Sequence, residues 1–306
     1  MSLITQSSKA LLDHEICKQW PEIHAAIERS TTREPFSWKL PIAACQAVGG
    51  DPEQVMPALS AFSCLHISIR LIDDLLDEDE RLESLDGNLA RTANLAIAFQ
   101  ALGADFLLGL GDQKAIESLK ELSKMQLYLA WGQDLDAQNI INEETYWKVA
   151  NAKSGIYFAS ALYVGAIYGG ANLETAGQLR DFGVVYGEIM QIHDDLNDTL
   201  DKTAGPDWIG GRHPLPILFA ESVDHPERDR FIELRQQITD PDALKEAQEI
   251  LVRSGAISYS VNELILRHGI AKQLLEGINL VDPEPMYLLL SELIEPVENL
   301  IETVAA

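Results

Sequence analysis

Residues 71–79 of this 306-residue chain read LIDDLLDED, and residues 187–198 read GEIMQIHDDLND. Both stretches place aspartates at positions i, i+1 and i+4, first as DDLLD at 73–77 and then as DDLND at 194–198. On an α-helix the i and i+4 side chains share one face, and the i+1 side chain lies about 100° around it. Each cluster therefore points at least two carboxylates into the same space.

Carboxylates held this close repel one another unless cations neutralise them, and their oxygens suit hard ions such as Mg2+. One such cluster is the ordinary pattern of a solvated acidic helix end. Two clusters of identical spacing, each after a mostly apolar segment, favour metal binding instead. The predicted ligands of two to three Mg2+ ions are Asp73, Asp74, Asp77, Asp194, Asp195 and Asp198.

The overall composition is acidic, with 48 Asp and Glu against 23 Lys and Arg and a formal net charge of −25. This charge argues against nucleic-acid and anionic-membrane partners. It also opposes any phosphate-bearing substrate, unless bound divalent cations reverse the sign of the site locally. At 46% hydrophobic residues the chain is able to bury a large core.

The cysteines and the apolar segments indicate the cellular compartment of the protein. The three cysteines are widely spaced and form no CxxC pair, so neither a disulfide framework nor a zinc site is indicated. The N-terminus has no basic region followed by an apolar stretch, and no run of about 18 uncharged apolar residues occurs. We therefore expect a soluble cytoplasmic protein without stable membrane insertion.

Helical periodicity of apolar residues runs through almost the whole chain, and alternating β-branched runs are nearly absent. We predict one all-α domain over residues 1–306 with ten or more helices, beginning with an amphipathic helix at 9–29. The small apolar residues of 155–169 suit a buried central helix. Residues 201–216 form the longest Gly/Pro-rich loop, and its place directly after the second cluster lets its backbone close over a site.

Three basic residues near these segments complete a chemical hypothesis, namely Lys153, Lys202 and Arg212. If the aspartate clusters face each other across a helical core, bound Mg2+ ions would hold a diphosphate and these cations its remaining oxygens. Metals and cations together stabilise diphosphate as a leaving group. Apolar helix faces would shield a carbocation from water. The residue types alone thus indicate Mg2+-assisted ionisation of an apolar diphosphate.

Over roughly residues 35–220 the sequence resembles the trans-isoprenyl diphosphate synthases, the polyprenyl synthetase family. The two clusters are similar to the family's two aspartate-rich motifs, and His66 to a histidine before the first motif. Lys153-Ser154 is similar to its Lys-Thr pair, the glutamine of residues 133–135 to its Gln-containing helix, and GGRHPLP at 210–216 to its Gly-Lys-x-x-x-Pro segment. The resemblance implies an isoprenoid synthase (class I terpenoid synthase) helical bundle around a central apolar cavity.

The resemblance also implies roles for individual residues, a homodimer, and small-molecule prenyl diphosphates as partners. The implied catalytic residues are Asp73, Asp77, Lys153 and Asp194. The implied substrate-binding residues are Lys39, Arg81, Lys153, Gln191, Lys202 and Arg212. By the same resemblance, Ser68 and Ile69 lie at the floor of the pocket for the growing chain, and without an aromatic residue there the products of an elongating enzyme need not stop at fifteen carbons.

Two basic motifs of the family are altered. Its Gly-Gly-Lys-Arg-x-Arg-Pro, which helps to hold isopentenyl diphosphate, is replaced by FSWKLP at 36–41, where only Lys39 is basic. Its Arg-Arg-Gly after the first motif aligns with Leu82-Glu83, and Arg81 stands one residue early. A planar arginine fork is not replaced by leucine or glutamate. The allylic half of the site is retained, whereas the isopentenyl half is eroded.

Three hypotheses follow, in this order. The first is a chain-elongating prenyltransferase, in which Mg2+ ionises an allylic diphosphate and isopentenyl diphosphate captures the cation. The second is a terpene synthase or cyclase on the same scaffold that needs only the allylic diphosphate, which the eroded motifs favour. The third is a non-catalytic partner subunit of another synthase, against which two complete aspartate motifs argue.

Overall fold

The computed structural model describes residues 2–32, 35–76, 88–138, 140 and 142–305, with side chains as far as residue 294. Every regular element within these ranges is helical, and none of the residues so described is in a β-strand. The all-α prediction is therefore confirmed. Asp77 and Arg81 lie outside the described residues.

The helices follow in chain order as α1 (Leu3–Asp13), α2 (Glu15–Gln19), α3 (Pro21–Thr31), α4 (Lys39–Ala47), α5 (Met56–Leu76), α6 (Leu89–Leu108), α7 (Gln113–Asp136), α8 (Glu143–Ala150), α9 (Ile156–Tyr168), α10 (Leu173–Leu200), α11 (Pro206–Ile209), α12 (Leu215–Ser222), α13 (Arg228–Arg235), α14 (Pro241–Arg253), α15 (Ala256–Glu276) and α16 (Glu284–Ala305). Short 3-10 turns cover Phe36–Trp38 and Pro52–Val55. A π-helical turn, Asn151–Gly155, joins α8 to α9.

The backbone divides into two compact units. The first contains Met1–Lys124, Ser160–Arg180 and Ile278–Tyr287. The second contains Met125–Ala159, Asp181–Gly277 and Leu288–Ala306. The prediction of one domain over 1–306 stays a prediction.

Helix α5 is the core helix of the first unit. Its backbone approaches α6 closely, since a methyl group placed on Gly103 would lie 3.0 Å from the Ala61 carbonyl oxygen. Ser60 of α5 also shares a hydrogen bond of 3.1 Å with Ser7 of α1. The segment Pro52–Leu76 is apolar and long enough to cross a membrane, but 67% of its most apolar window is buried inside the protein. A core helix of a soluble protein has these same properties.

The amphipathic helix predicted over 9–29 is wrong, because the chain forms three helices there. Pro21 begins α3, and it holds the preceding Trp20 in an extended conformation with φ −119° and ψ 95°. Proline clashes with a helical conformation of the residue before it, and it has no N–H for a continuing helix. His14 is extended as well, and its ring caps α2 by accepting a hydrogen bond from the Ile16 N–H.

The second unit has its own apolar core beneath the helices from α11 to α15. Its largest side chains are Trp208 and Phe231, whose rings meet at 6.2 Å with an interplanar angle of 61°. The remaining members are Ile217, Ala220, Leu234, Ile238, Ala243, Leu244, Ala247, Ile250, Leu251 and Ala256. The Trp208 indole N–H donates to the Thr199 carbonyl at 3.2 Å, so the predicted loop 201–216 is fastened to α10 by its tryptophan.

Candidate active site

Both aspartate clusters lie near the carboxyl ends of long helices. Asp73 and Asp74 are half-buried in the last turn of α5, and residues 194–198 occupy the last two turns of α10. A helix carries a partial negative charge at its carboxyl end, which adds to the repulsion among the carboxylates. Both positions therefore favour a bound cation more than a mid-helix cluster would.

The predicted six-carboxylate cage requires the two clusters to come together. The clusters belong to different units, and Asp77 lies outside the described residues. Among the side chains that are described, no three histidines, cysteines or acids form a group able to hold a metal ion. The cage stays a prediction.

Within the second cluster, the three aspartates have different surroundings. Asp194 and Asp198 are exposed on the same face of α10. Asp195 is only 3% exposed. Its Oδ2 accepts hydrogen bonds from the Tyr146 hydroxyl and the Leu215 backbone N–H, both at 2.7 Å, and its Oδ1 accepts one from the Gln191 amide at 2.8 Å. Burial raises the pKa of Asp195 to about 7, against the opposing effect of these three donors.

Lys153 lies in the π-helical turn, and its Nζ donates to Asp136 Oδ2 at 2.6 Å. Both side chains are mostly buried, at 26% and 14% exposure, so solvent screens this ion pair less than a surface pair. The next residue, Ser154, donates through its hydroxyl to Gln191 Oε1 at 2.7 Å. The turn thus joins its lysine to α7 and its serine to α10.

Two glycines allow this turn to sit so close to its neighbours. A methyl group placed on Gly187 of α10 would lie 2.5 Å from the Ser154 carbonyl oxygen. One placed on Gly132 of α7 would lie 2.9 Å from Lys153 Cγ. Turns of this π type occur often at functional sites, where they shift a side chain out of regular helical register.

Arg212 follows α11, and its guanidinium lies 3.4 Å from Asp207 Oδ1. Its backbone carbonyl accepts a hydrogen bond of 2.7 Å from Arg235, whose other nitrogen reaches Glu221 at 2.6 Å. The neighbouring His213 also contacts Glu221, at 2.9 Å. The loop that carries Arg212 is therefore anchored to α12 and α13 by charged hydrogen bonds.

A set of like charges surrounds these cations. Burial raises the pKa of Asp207 against the opposing Arg212, and the carboxylates Asp198 and Asp136 raise it further. Burial and nearby Asp201 also raise the pKa of Asp198. Carboxylates that raise one another's pKa are relieved by a shared cation. The oxygen-only donors of this region therefore fit a hard divalent ion such as Mg2+.

The other predicted binding residues have varied settings. Gln191 bridges Ser154 and Asp195, as described above. Lys202 is exposed, and its backbone N–H donates to Asp201 Oδ1 at 2.6 Å. Lys39 is also exposed, with Nζ 5.4 Å from the centre of the Phe36 ring.

The segment that replaces the expected basic motif is mostly core. Trp38 and Leu40 are both completely buried, and the Trp38 ring meets the His66 ring edge-on at 6.0 Å. Burial, reinforced by nearby Arg70, lowers the pKa of His66 to about 4, so its imidazole is neutral near pH 7. This segment offers an anionic ligand little positive charge.

Sequence reasoning missed Tyr146 and Asp207. No local signal marks Tyr146, because its contact with Asp195 joins residues 49 positions apart. Asp207 lies in the loop 201–216, directly after Pro206. An acid at the start of a helix is ordinarily interpreted as favourable to the helix end, so its type did not indicate a site.

Comparisons with known proteins extend these observations. Residues 39–251 match the model of the polyprenyl synthetase family. A short chain isoprenyl diphosphate synthase of Methanothermobacter thermautotrophicus is 27% identical over 277 residues, covering 83% of each chain. A geranylfarnesyl diphosphate synthase of Aeropyrum pernix is 25% identical over 259 residues, covering 77% of this chain and 80% of its own.

A solved structure agrees on the fold. The crystal structure of a polyprenyl synthase from Caulobacter crescentus, complexed with calcium and isoprenyl diphosphate, superposes with a TM-score of 0.80. The match covers 95% of this chain and 91% of that chain at 21% identity. At this identity the likeness concerns the helical architecture.

Proposed function

The chain belongs to the polyprenyl synthetase family, and on that premise we propose that it is a Mg2+-dependent trans-prenyltransferase. The proposed reaction condenses an allylic prenyl diphosphate with isopentenyl diphosphate to give a longer trans-polyprenyl diphosphate and inorganic diphosphate. The observation that carries the proposal is the region around the second aspartate cluster. There Lys153 and Arg212, two separate phosphate-binding candidates, both lower the pKa of the same carboxyl group, that of Asp207.

The proposed metal ligands are five of the six cluster aspartates, namely Asp73, Asp74, Asp77, Asp194 and Asp198. When bound, Mg2+ would supply Lewis-acid stabilisation of the departing diphosphate. The crowding of carboxylates around Asp198 and Asp207 supports this donor set.

The side chains of this chain have three tasks in the proposed reaction. Lys153 and Arg212 bind diphosphate oxygens, for which each exchanges its present carboxylate partner. Gln191, held from both ends, orients the π-helical turn against α10. Apolar helix faces exclude water from the allylic cation until the acceptor adds and loses a proton.

A second candidate is an enzyme that uses only the allylic diphosphate, such as a terpene synthase. The observation that favours it is the burial of Trp38 and Leu40 where the related proteins' basic motif would stand. A neutral His66 beside Trp38 adds to this. Neither residue supplies the charge that a second diphosphate needs.

The experiment that separates these candidates incubates purified protein with Mg2+ and farnesyl diphosphate, with and without isopentenyl diphosphate. Products are resolved by chromatography and mass spectrometry. We expect a longer prenyl diphosphate only when isopentenyl diphosphate is present. Release of inorganic diphosphate and a hydrocarbon without isopentenyl diphosphate would instead favour the terpene synthase. No turnover in either case would reject both enzyme proposals.

Product length is a finer proposal. Ser68 is 1% exposed, and its small side chain has no hydrogen-bond partner for its Oγ among the described atoms. We infer that this position leaves room for chains beyond fifteen carbons. Ser68→Phe is expected to shorten the product, and an unchanged product would show that the chain ends elsewhere.

A homodimer and a cytoplasmic location complete the proposal. Helix α6 exposes large apolar side chains, among them Ile97 at 63% and Leu108 at 62%. Such a face suits a second copy of the chain more than it suits water. Light scattering at several protein concentrations measures the mass, and a monomer at every concentration would contradict the dimer.

A further inference from the structure

We propose that Tyr146 is a positioning residue. Through Asp195 it fixes the positions of two segments of the site, the one with Lys153 and the one with Arg212, relative to α10. This inference rests on the proposed function, because it concerns how Lys153 and Arg212 meet a diphosphate. It assigns Asp195 a role as the centre of a hydrogen-bonded clasp rather than as a metal ligand. The clasp consists of Asp195, Tyr146, Gln191 and Leu215.

Two of the three hydrogen bonds to Asp195 come from segments next to a cation, and the third comes from Gln191 on the same helix, which in turn binds such a segment. Tyr146 lies on α8, which runs directly into the π-helical turn with Lys153. Gln191 accepts from Ser154, the residue after Lys153. Leu215 begins α12, three residues after Arg212. One carboxylate therefore ties the lysine segment and the arginine segment to the same turn of α10.

The carboxylate has little capacity left for a metal. Asp195 is 3% exposed, and three donors within 2.8 Å occupy its two oxygens. Asp194 and Asp198 on the same helix are exposed by contrast. A metal ion at Asp195 would have to displace buried hydrogen bonds, two of which hold neighbouring segments in place. Buried donors left without a partner are costly, so the clasp is the favoured use of this side chain.

Tyr146 itself is firmly held. It is 3% exposed, and its ring meets Trp147 at 4.8 Å. Trp147 is in turn covered by the Arg267 guanidinium, 3.3 Å from the ring centre, and Arg267 pairs with Glu188 of α10 at 2.9 Å. Since its surroundings fix the ring, loss of the hydroxyl alone would remove the hydrogen bond with little repacking.

The test compares Tyr146→Phe with a matched control, Tyr259→Phe. Tyr259 also donates from its hydroxyl to a carboxylate, Glu143 at 2.6 Å, and it also anchors α8, but it does not contact Asp195. The first readout is hydrogen–deuterium exchange of the Leu215 amide. The second is calorimetric binding of inorganic diphosphate in the presence of Mg2+. The third is the steady-state kinetics with farnesyl diphosphate.

For Tyr146→Phe we expect faster exchange at Leu215 and roughly tenfold weaker diphosphate binding, the effect of one lost hydrogen bond to a charged group. We also expect a raised KM for farnesyl diphosphate with a smaller fall in kcat, because the cations contact the ground-state diphosphate. A purely structural tyrosine would instead lower the folded fraction, and so lower kcat with KM unchanged. Tyr259→Phe is expected to match the wild type.

Wild-type exchange and wild-type diphosphate affinity in Tyr146→Phe would overturn the inference. If that variant fails to fold, Asp195→Ala takes its place, since it removes both oxygens that accept from Tyr146, Gln191 and the Leu215 N–H. Faster exchange at Leu215 is expected there, and wild-type exchange would again overturn the clasp. If the wild type binds no diphosphate with Mg2+, the proposed function fails, while the Leu215 exchange still tests the clasp by itself.

Discussion

The ends of the two aspartate-bearing helices have very different surroundings. Around the second cluster, on α10, polar side chains from α7, α8 and the π-helical turn, together with a backbone N–H of α12, form a connected set of charged and hydrogen-bonded groups. Around α5 the neighbouring segment 36–41 instead contributes buried apolar rings and chains, with Trp38 and Leu40 completely buried. The two clusters have the same aspartate spacing, and the described residues around the second include two cations, Lys153 and Arg212.

This difference separates two chemical tasks. In the proposed reaction, Lys153 and Arg212 would supply positive charge for one diphosphate next to the second cluster. The segment with Trp38 supplies packing, and the nearby His66 is neutral near pH 7. Equal aspartate motifs therefore do not imply two equal diphosphate sites, because phosphate affinity depends on the cations around them.

The largest effect is expected at the packed segment. Trp38→Ala should lower the free energy of unfolding by roughly 3–5 kcal/mol, because it removes a fully buried aromatic side chain and leaves a cavity. Trp131→Ala is the control, since Trp131 is 42% exposed. Urea denaturation measures both. A small change for Trp38→Ala would contradict the assignment of this segment to the core.

The next effect is expected at the second cluster. Asp194→Asn should lower kcat roughly 100- to 1,000-fold, as the loss of a group that stabilises developing charge does, with the fold unchanged because the side chain is exposed. Asp224→Asn, an exposed acid after α12 and outside the motif, serves as the control. Equal activity of both variants, measured by diphosphate release, would remove Asp194 from the proposed metal site.

A smaller effect is expected at the π-helical turn. Lys153→Gln should weaken Mg2+-dependent binding of inorganic diphosphate by about 10- to 100-fold, the contribution of one charge-assisted hydrogen bond. Lys148→Gln is the comparison, because Lys148 lies on α8 with its Nζ 5.1 Å from the Trp131 ring, outside the Lys153–Asp136 pair. Equal affinities of the two variants for inorganic diphosphate, measured by calorimetry, would contradict the assignment of Lys153 to the diphosphate site.

The smallest effect concerns the anchor of the arginine loop. Burial opposes ionisation of Glu221, but hydrogen bonds from His213 and Arg235 outweigh it and lower the pKa of this carboxyl below its ordinary value of 4.5. A lowered folded-state pKa contributes stability above the unfolded value, and this contribution is lost as the pH falls through the folded value. Glu221→Gln should therefore remove about 1 kcal/mol of stability at pH 7 and flatten the decline below pH 4.5.

The control for this variant is Glu233→Gln, an exposed acid on α13 that pairs with Arg230 at 3.4 Å. Thermal melts between pH 3 and pH 7 would compare the two. An unchanged pH profile in Glu221→Gln would show that the loop of Arg212 is held without this carboxylate.

Much of the helical pattern could be predicted from the sequence, because local rules decide it. The central helix predicted within residues 155–169 is Ile156–Tyr168. Gly155 and Gly169 flank it, and apolar spacing marks its length. The error at 9–29 had a local cause as well, since the Trp20-Pro21 step breaks a pattern that periodicity alone reads as continuous.

The sequence by itself determined the family, the all-α architecture and the aspartate spacing, because each depends on residues close together in the chain. Tertiary structure alone decided which aspartate is buried. Asp194, Asp195 and Asp198 look equivalent in the motif, but folding brings Tyr146 and the Leu215 N–H to Asp195 and leaves the other two exposed. It likewise decided that Trp38 is core and that Lys153 meets Asp136. Hydrogen bonds and burial between distant segments appear only when the helices pack, so no local pattern specifies them.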